Sequence, residues 1–227
     1  MARYHPSEDW LTAYASGAGD EATSVLIATH LTFCSDCRKT VREFEAIGGA
    51  LLDGMNIVEL EGLPDAPDNA IASLPVLKSE TNGTDHAAYT QGTFSDIAPR
   101  PLLRYVFDRL GAKDIDALPW KFYGPGIKRA VLFQGPDGAS IRLLRSRPGA
   151  VFSAHRHGSE ELTLVLKGAY RDGADRYQTG DVQCVSETES HQPIVEQGEE
   201  CIALVVSDKP TIPLGLVARI VQRIIGA

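Results

Sequence analysis

The chain has 227 residues, of which 43% are hydrophobic and 23% charged, and this composition is typical of a folded globular protein. No apolar run approaches the roughly 20 residues of a membrane-spanning helix, and the N-terminus lacks the apolar core of a signal peptide, so we expect a cytoplasmic protein without membrane contact. The formal net charge of -8 argues against direct nucleic acid binding, which needs a basic surface.

The charge is unevenly distributed along the chain. Residues 1–95 contain 5 Lys and Arg against 14 Asp and Glu, a net charge of -9, whereas the remainder contributes +1. An acidic first half suits a basic protein partner, although acidity also serves solubility alone.

Helical periodicity comes first in the chain, and short strands follow. Three helices are predicted between Ser7 and about Asp53, then a Gly- and Pro-rich connector over 54–97 with one short helix at Asp68–Leu74, and a further helix at Pro101–Leu110. Short apolar segments separated by turns then predict a β-sandwich or barrel, and a last helix is predicted at Leu214–Ile225. The predicted strands are Ile127–Gln134, Ala139–Ser146, Glu161–Arg171, Val182–Ser186, Gln192–Gln197 and Cys201–Ser207.

The fold class that follows is a multidomain α plus β protein. We expect a helical bundle in residues 1–75, a linker in 76–97, and a jelly-roll-like β-barrel with a flanking C-terminal helix in 98–227.

The first group of metal-ligand residues is the H-x3-C-x2-C run of His30, Cys34 and Cys37. Zinc takes four tetrahedral N and S ligands, and a C-x2-C pair lets two thiolates bind one ion. The second cysteine falls in the first turn of a helix, which stabilises thiolates, and His5 ahead of the first helix is the natural fourth ligand. A metal-free dithiol pair, or a solvated His5, is the alternative.

These residues resemble the zinc-binding anti-sigma domain, whose mark is H-x3-C-x2-C with a further histidine upstream. The resemblance covers about residues 1–75. It implies a zinc-stabilised helical bundle whose helices clasp a group IV (extracytoplasmic-function) sigma factor between its two polymerase-binding regions.

The second group is His155, His157, Glu161 and His191. The first three share parity, so on one unbroken strand they would point to the same face, and a neighbouring strand could bring His191 to them. Glu160 is the competing carboxylate but has the wrong parity. Three ligands on one face define a metal site.

The run G-x5-H-x-H-x3-E-x6-G from Gly149 to Gly168 resembles the first cupin motif, and His191 ends a looser second motif. This resemblance covers about residues 98–212. It implies a β-barrel that binds a divalent metal through three histidines and one glutamate, with zinc favoured over Fe2+ or Mn2+.

Two further cysteines, Cys184 and Cys201, fall in predicted strands. They are interpreted as buried packing residues, with a thiol that is oxidised during sensing as the alternative.

The order of the two modules resembles ChrR-type anti-sigma factors, which hold a sigma factor inactive until singlet oxygen or related oxidants release it. The resemblance implies a non-enzymatic transcription regulator, with the helices binding the sigma factor and the cupin reporting the stress. The alternatives are a cupin dioxygenase acting on a small molecule, and a scaffold in which both metals are structural. Homodimerisation of the free protein stays open.

Overall fold

The computed structural model describes residues 2–56, 98–112, 116–135 and 138–214. The predicted short helix at Asp68–Leu74, the linker and the predicted C-terminal helix from residue 215 onward lie outside the described residues. None of the described helices is both long and apolar enough to span a membrane.

The three predicted N-terminal helices are confirmed as α1 (Glu8–Ala15), α2 (Glu21–Phe33) and α3 (Ser35–Asp53). The side chain of Asp20 accepts a hydrogen bond from the Thr23 amide and so caps α2, while the Cys34 sulfur accepts from the Cys37 amide at the start of α3. The helix predicted at Pro101–Leu110 is α4 (Arg100–Leu110).

The centre of the bundle is the inner face of α2. Leu26, Ile27 and His30 are all fully buried there. Leu102 and Val106 of α4 are also fully buried and belong to the same core. Because α4 packs against both α2 and the strand Ile127–Gln134, it lies between the helical bundle and the strands that follow it, which form the β-domain.

The β-domain contains twelve described strands in three antiparallel sheets. The strands are β1 (Lys121–Gly124), β2 (Ile127–Gln134), β3 (Ser140–Ser146), β4 (His155–His157), β5 (Glu161–Lys167), β6 (Ala169–Asp172), β7 (Asp175–Gln178), β8 (Val182–Val185), β9 (Ser190–His191), β10 (Ile194–Val195), β11 (Cys201–Ser207) and β12 (Thr211–Pro213). This matches the predicted jelly-roll-like domain, but the described sheets do not join into one closed hydrogen-bonded barrel. The large sheet has the order β1-β2-β3-β11-β5-β8, and the two small sheets have the orders β10-β6-β7 and β12-β4-β9.

Two predicted strands are divided in the structure. The segment predicted as Glu161–Arg171 passes from the large sheet to a small one at Gly168, whose φ of +75° favours glycine and where a Cβ would collide with the Glu200 carbonyl oxygen. The segment predicted as Gln192–Gln197 pairs only at Ile194–Val195, following the separate short strand β9.

The N-terminal segment ahead of α1 runs along the β-domain. The Val182 amide donates to the Tyr4 carbonyl at 3.0 Å, and the Asp181 carboxylate accepts from the amides of Arg3 and Tyr4. The backbone immediately before His5 is therefore held by the β-domain.

Candidate metal centres

The structure brings His5, His30, Cys34 and Cys37 together at the junction of α2 and α3, with one donor atom of each within 4.8 Å of the others. His30 lies in the last turn of α2, Cys34 caps α3 and Cys37 lies in its first turn. The N-terminal segment brings in His5. Cys34, Cys37 and His30 are buried, whereas His5 is exposed.

The spacing within this cluster fits a tetrahedral ion. The His5 Nδ1 atom lies 3.4 Å from each cysteine sulfur, and the His30 Nε2 atom lies 3.3 Å from the Cys37 sulfur. A nitrogen at about 2.0 Å and a sulfur at about 2.3 Å from one zinc ion would be about 3.5 Å apart. The two-sulfur, two-nitrogen donor set is also one that structural zinc sites use.

Without a metal ion, His30 and Cys37 in this cluster are neutral at pH 7. Burial lowers the pKa of His30 to about 4, so its ring is neutral at pH 7. Burial, together with the neighbouring Cys34, raises the pKa of the Cys37 thiol to about 12 in the absence of metal. A bound divalent ion would supply the charge that stabilises the thiolate.

The β-domain takes part in this site. The His30 Nδ1–H donates to the Gly180 carbonyl at 2.9 Å, which leaves Nε2 for a metal ion. Gly180 has a φ of +93°, and a Cβ on it would lie 3.1 Å from the Phe33 Cβ. The sequence patterns did not identify this partner, because a backbone carbonyl carries no residue-specific signal.

The second cluster contains His155, His157, Glu161 and His191, again with donor atoms within 4.8 Å of one another. The parity argument for the first three holds only on one unbroken strand, whereas the structure has the histidines on β4 and begins β5 at Glu161, as predicted, after an intervening bend. His191 comes from β9, where it pairs directly with His155 in the antiparallel register.

Imidazole nitrogens of this cluster face one another at short distances. His155 donates Nδ1–H to the Ser153 carbonyl at 2.7 Å, and His191 donates Nδ1–H to the Asp172 carboxylate, also at 2.7 Å. Both Nε2 atoms therefore present lone pairs, only 3.0 Å apart. Two lone pairs at that distance repel unless a proton or a metal ion lies between them, and three imidazoles beside a carboxylate are a donor set that fits a divalent metal ion.

Burial disfavours the charged forms of the groups in this cluster. It lowers the pKa of His155 and lowers that of His157 to about 3. Burial also raises the pKa of Glu161, whose carboxylate lies 3.1 Å from Arg142 and 3.4 Å from the His157 Nδ1 atom. Among the described residues, this His157 nitrogen has no hydrogen-bond partner.

A chain of contacts runs from the second cluster to the first. Asp172, which holds His191, also accepts from the Gln183 side chain at 2.6 Å, and Gln183 in turn accepts from the Tyr170 hydroxyl at 2.6 Å. The Tyr170 and Tyr177 rings have centroids 5.2 Å apart, and Tyr177 and Tyr4 have centroids 4.5 Å apart. Since Tyr4 precedes His5, the chain of contacts connects the two clusters.

The two remaining cysteines differ in their surroundings. Cys201 is buried, and burial raises its pKa to about 12, which agrees with its interpretation as an unreactive packing residue. Cys184 is exposed on β8, so its predicted burial is wrong.

Comparison with known proteins matches both parts of this architecture. Residues 110–209 match the family model described as the ChrR cupin-like domain. The chain is 35% identical over 209 residues to the anti-sigma-E factor ChrR of Cereibacter sphaeroides, covering 92% of this chain and 91% of that protein.

A solved structure is similar over the same length. The crystal structure of Rhodobacter sphaeroides SigE in complex with the anti-sigma ChrR contains a chain that is 32% identical, with a TM-score of 0.69. The similarity covers 91% of this chain and 99% of that one. With its two clusters, its helical bundle and its cupin-like domain, the chain belongs to the ChrR family of anti-sigma factors.

Proposed function

We propose that this protein is a cytoplasmic anti-sigma factor that sequesters a group IV sigma factor and releases it in response to oxidative or singlet-oxygen stress. The observation that carries the proposal is the similarity to ChrR, a protein found in complex with SigE, over almost the whole chain. It favours this function over the dioxygenase alternative, because the similarity includes the helical bundle, for which a cupin enzyme has no use.

The outer face of α3 supplies a surface for the sigma factor. On α3, Ile47, Leu51 and Leu52 are 59 to 69% exposed against the described residues and recur at helical spacing, and Met55, just past the end of the helix, is 69% exposed. Exposed apolar side chains clustered on one helix face are typical of an interaction surface. The acidic first half of the chain would complement basic regions of the sigma factor.

Zinc is the metal that we assign to the helical cluster, with His5, His30, Cys34 and Cys37 as its ligands. The ion would hold the end of α2, the start of α3 and the segment ahead of α1 in fixed positions, and a structural zinc contributes directly to folding. Its loss would therefore disorganise the helices that carry the sigma-binding surface.

A divalent metal is assigned to His155, His157, Glu161 and His191. Nitrogens 2.8 and 3.0 Å apart are closer than the about 3.3 Å expected for a tetrahedral zinc site. They are nearer to the spacing of ligands about 90° apart, so Fe2+ and Mn2+ stay candidates beside zinc. The ion would fix β4, β5 and β9 relative to one another.

The signal would pass from the cupin to the helices through their shared contacts. A change at His191 would act on Asp172 and the tyrosines, and thereby on the backbone that holds His5. The Gly180 carbonyl, which orients His30, provides a second contact. Linkage requires that the altered cupin favours the sigma-free form over the bound form.

The test is co-expression with group IV sigma factors from the same organism, followed by affinity purification and metal analysis. We expect a 1:1 complex with one of them. Leu52→Asp should weaken capture at least tenfold, whereas Phe122→Asp, at an apolar position on β1 that is 59% exposed, should not. The proposal fails if no group IV sigma factor is retained, or if both variants behave alike.

A further inference from the structure

The β-domain encloses a cavity of about 710 Å3 that reaches the second metal cluster. Cavities of this size hold small organic ligands, and most of this one is lined by apolar side chains. Its floor is the large sheet, in which Arg142, Leu144 and Ser146 of β3 lie beside Val205, Ala203 and Cys201 of β11 in antiparallel register.

One end of the cavity is charged. Arg142 is 7% exposed and donates to Glu161 at 3.1 Å and to Ser207 at 2.6 Å. Its Nε atom has no hydrogen-bond partner among the described residues. Arg142 and Glu161 neutralise each other, so a divalent ion held by the cluster would leave this end positive and suited to an anion.

Away from Arg142, the lining of the cavity is mostly apolar. Alternate residues of a strand face the same side, so the floor runs from Arg142 through Leu144 to Ser146 over about 13 Å. Ile127, Ala203 and Cys201 line the cavity beyond Arg142. This distance suits an extended chain of about eight to ten carbons.

The mouth of the cavity carries exposed apolar side chains. Phe122 is 59% exposed and Val151 is 46% exposed, and both line the cavity. An apolar ligand could contact these side chains as it enters.

We infer that this cavity binds a monocarboxylate with an unbranched apolar tail of about eight carbons, its carboxylate beside Arg142 and its tail along Leu144 and Ala203. The inference is independent of sigma capture. It gives the cupin a small-molecule ligand in addition to its metal.

Calorimetric titration of the zinc-loaded, full-length protein with octanoate tests the inference. We expect one site per chain and affinity about fifteen-fold higher for octanoate than for hexanoate, since each buried methylene contributes about a fourfold gain. Octanol, with the same tail and no charge, should bind at least tenfold more weakly than octanoate.

Two variants locate the site. Ala203→Phe should weaken octanoate binding at least tenfold because the new ring occupies the path of the tail, whereas Ala50→Phe on the exposed side of α3 should not. Arg142→Gln should remove the preference for octanoate over octanol, and near-ultraviolet circular dichroism checks that each variant is folded. The inference is overturned if octanoate does not bind, if octanol binds equally well, or if neither cavity variant changes binding. Sigma capture is measured separately, so its failure would not be confused with these results.

Discussion

Substitution of Gly180 by alanine tests whether the β-domain supports the zinc site of the helices. The left-handed backbone at this position, with a φ of +93°, costs a non-glycine residue about 1 to 3 kcal/mol. The new Cβ would lie 3.1 Å from the Phe33 Cβ, which is tighter than ordinary contact. The end of α2 and the turn of Gly180 must then separate, and this lengthens the 2.9 Å hydrogen bond that orients His30.

The expected result is a zinc affinity about 10 to 100-fold lower, the usual effect of losing the outer hydrogen bond of a metal-binding histidine. Cobalt provides the assay, because its thiolate charge-transfer absorption reports only the cluster with Cys34 and Cys37. Zinc titrated into the cobalt-loaded protein displaces the cobalt and so removes that absorption. The affinity of the variant is read from the displacement curve.

Gly173→Ala is the matched control. Gly173 also has a positive φ, of +58°, but nothing lies within 4 Å of the position that a Cβ would occupy there, so the variant carries the backbone cost without the contact to α2. Equal zinc affinities for the Gly180→Ala and Gly173→Ala proteins would refute the reasoning that the β-domain orients His30.

Three further predictions follow from burial and charge. Leu26→Ala, at a fully buried position, should lower the free energy of unfolding, measured by urea denaturation, by about 2 to 5 kcal/mol. Leu52→Ala, at a position 69% exposed, should change it little, and equal losses would place the bundle core elsewhere. Zinc binding at pH 7 should release at least one proton, from the Cys37 thiol whose metal-free pKa is about 12, so zinc affinity should fall as the pH falls. Calorimetry in buffers of different ionisation enthalpy detects the released proton, and zero release would contradict the assignment. His155→Ala should leave sigma inhibition intact but blunt induction of a sigma-dependent reporter by singlet oxygen, and a normal induction would remove the cupin cluster from the response.

The local parts of the two clusters were accessible from the sequence because their chemistry depends on short spacings. His30, Cys34 and Cys37 lie within one helix junction, so the turn geometry alone brings them close. His155 and His157 alternate on one short strand. The more distant His5 and His191 were assigned from the expected packing of the helices and of neighbouring strands, and the structure brings each of them to its cluster.

The supporting contacts could not be predicted, because they depend on how separate segments pack. Asp172 is one carboxylate among 30 acidic residues, and only the packing of the two small sheets places it beside His191. Arg142 lies in a mostly buried strand, where no local pattern indicates that it faces Glu161. The strand break at Gly168 was not predicted, because apolar residues resume at Ala169 and Tyr170 directly after it. The glycine itself was the one local signal of the break.

The central claim is that a zinc-organised helical bundle captures a sigma factor. Its most direct test is size-exclusion chromatography of the purified protein mixed with its group IV sigma factor, using the native chain and the Cys34→Ser variant. The account predicts a 1:1 complex for the zinc-loaded native protein and no complex for the variant. A stable complex formed equally well by Cys34→Ser, or by the native protein after zinc has been removed, would contradict it.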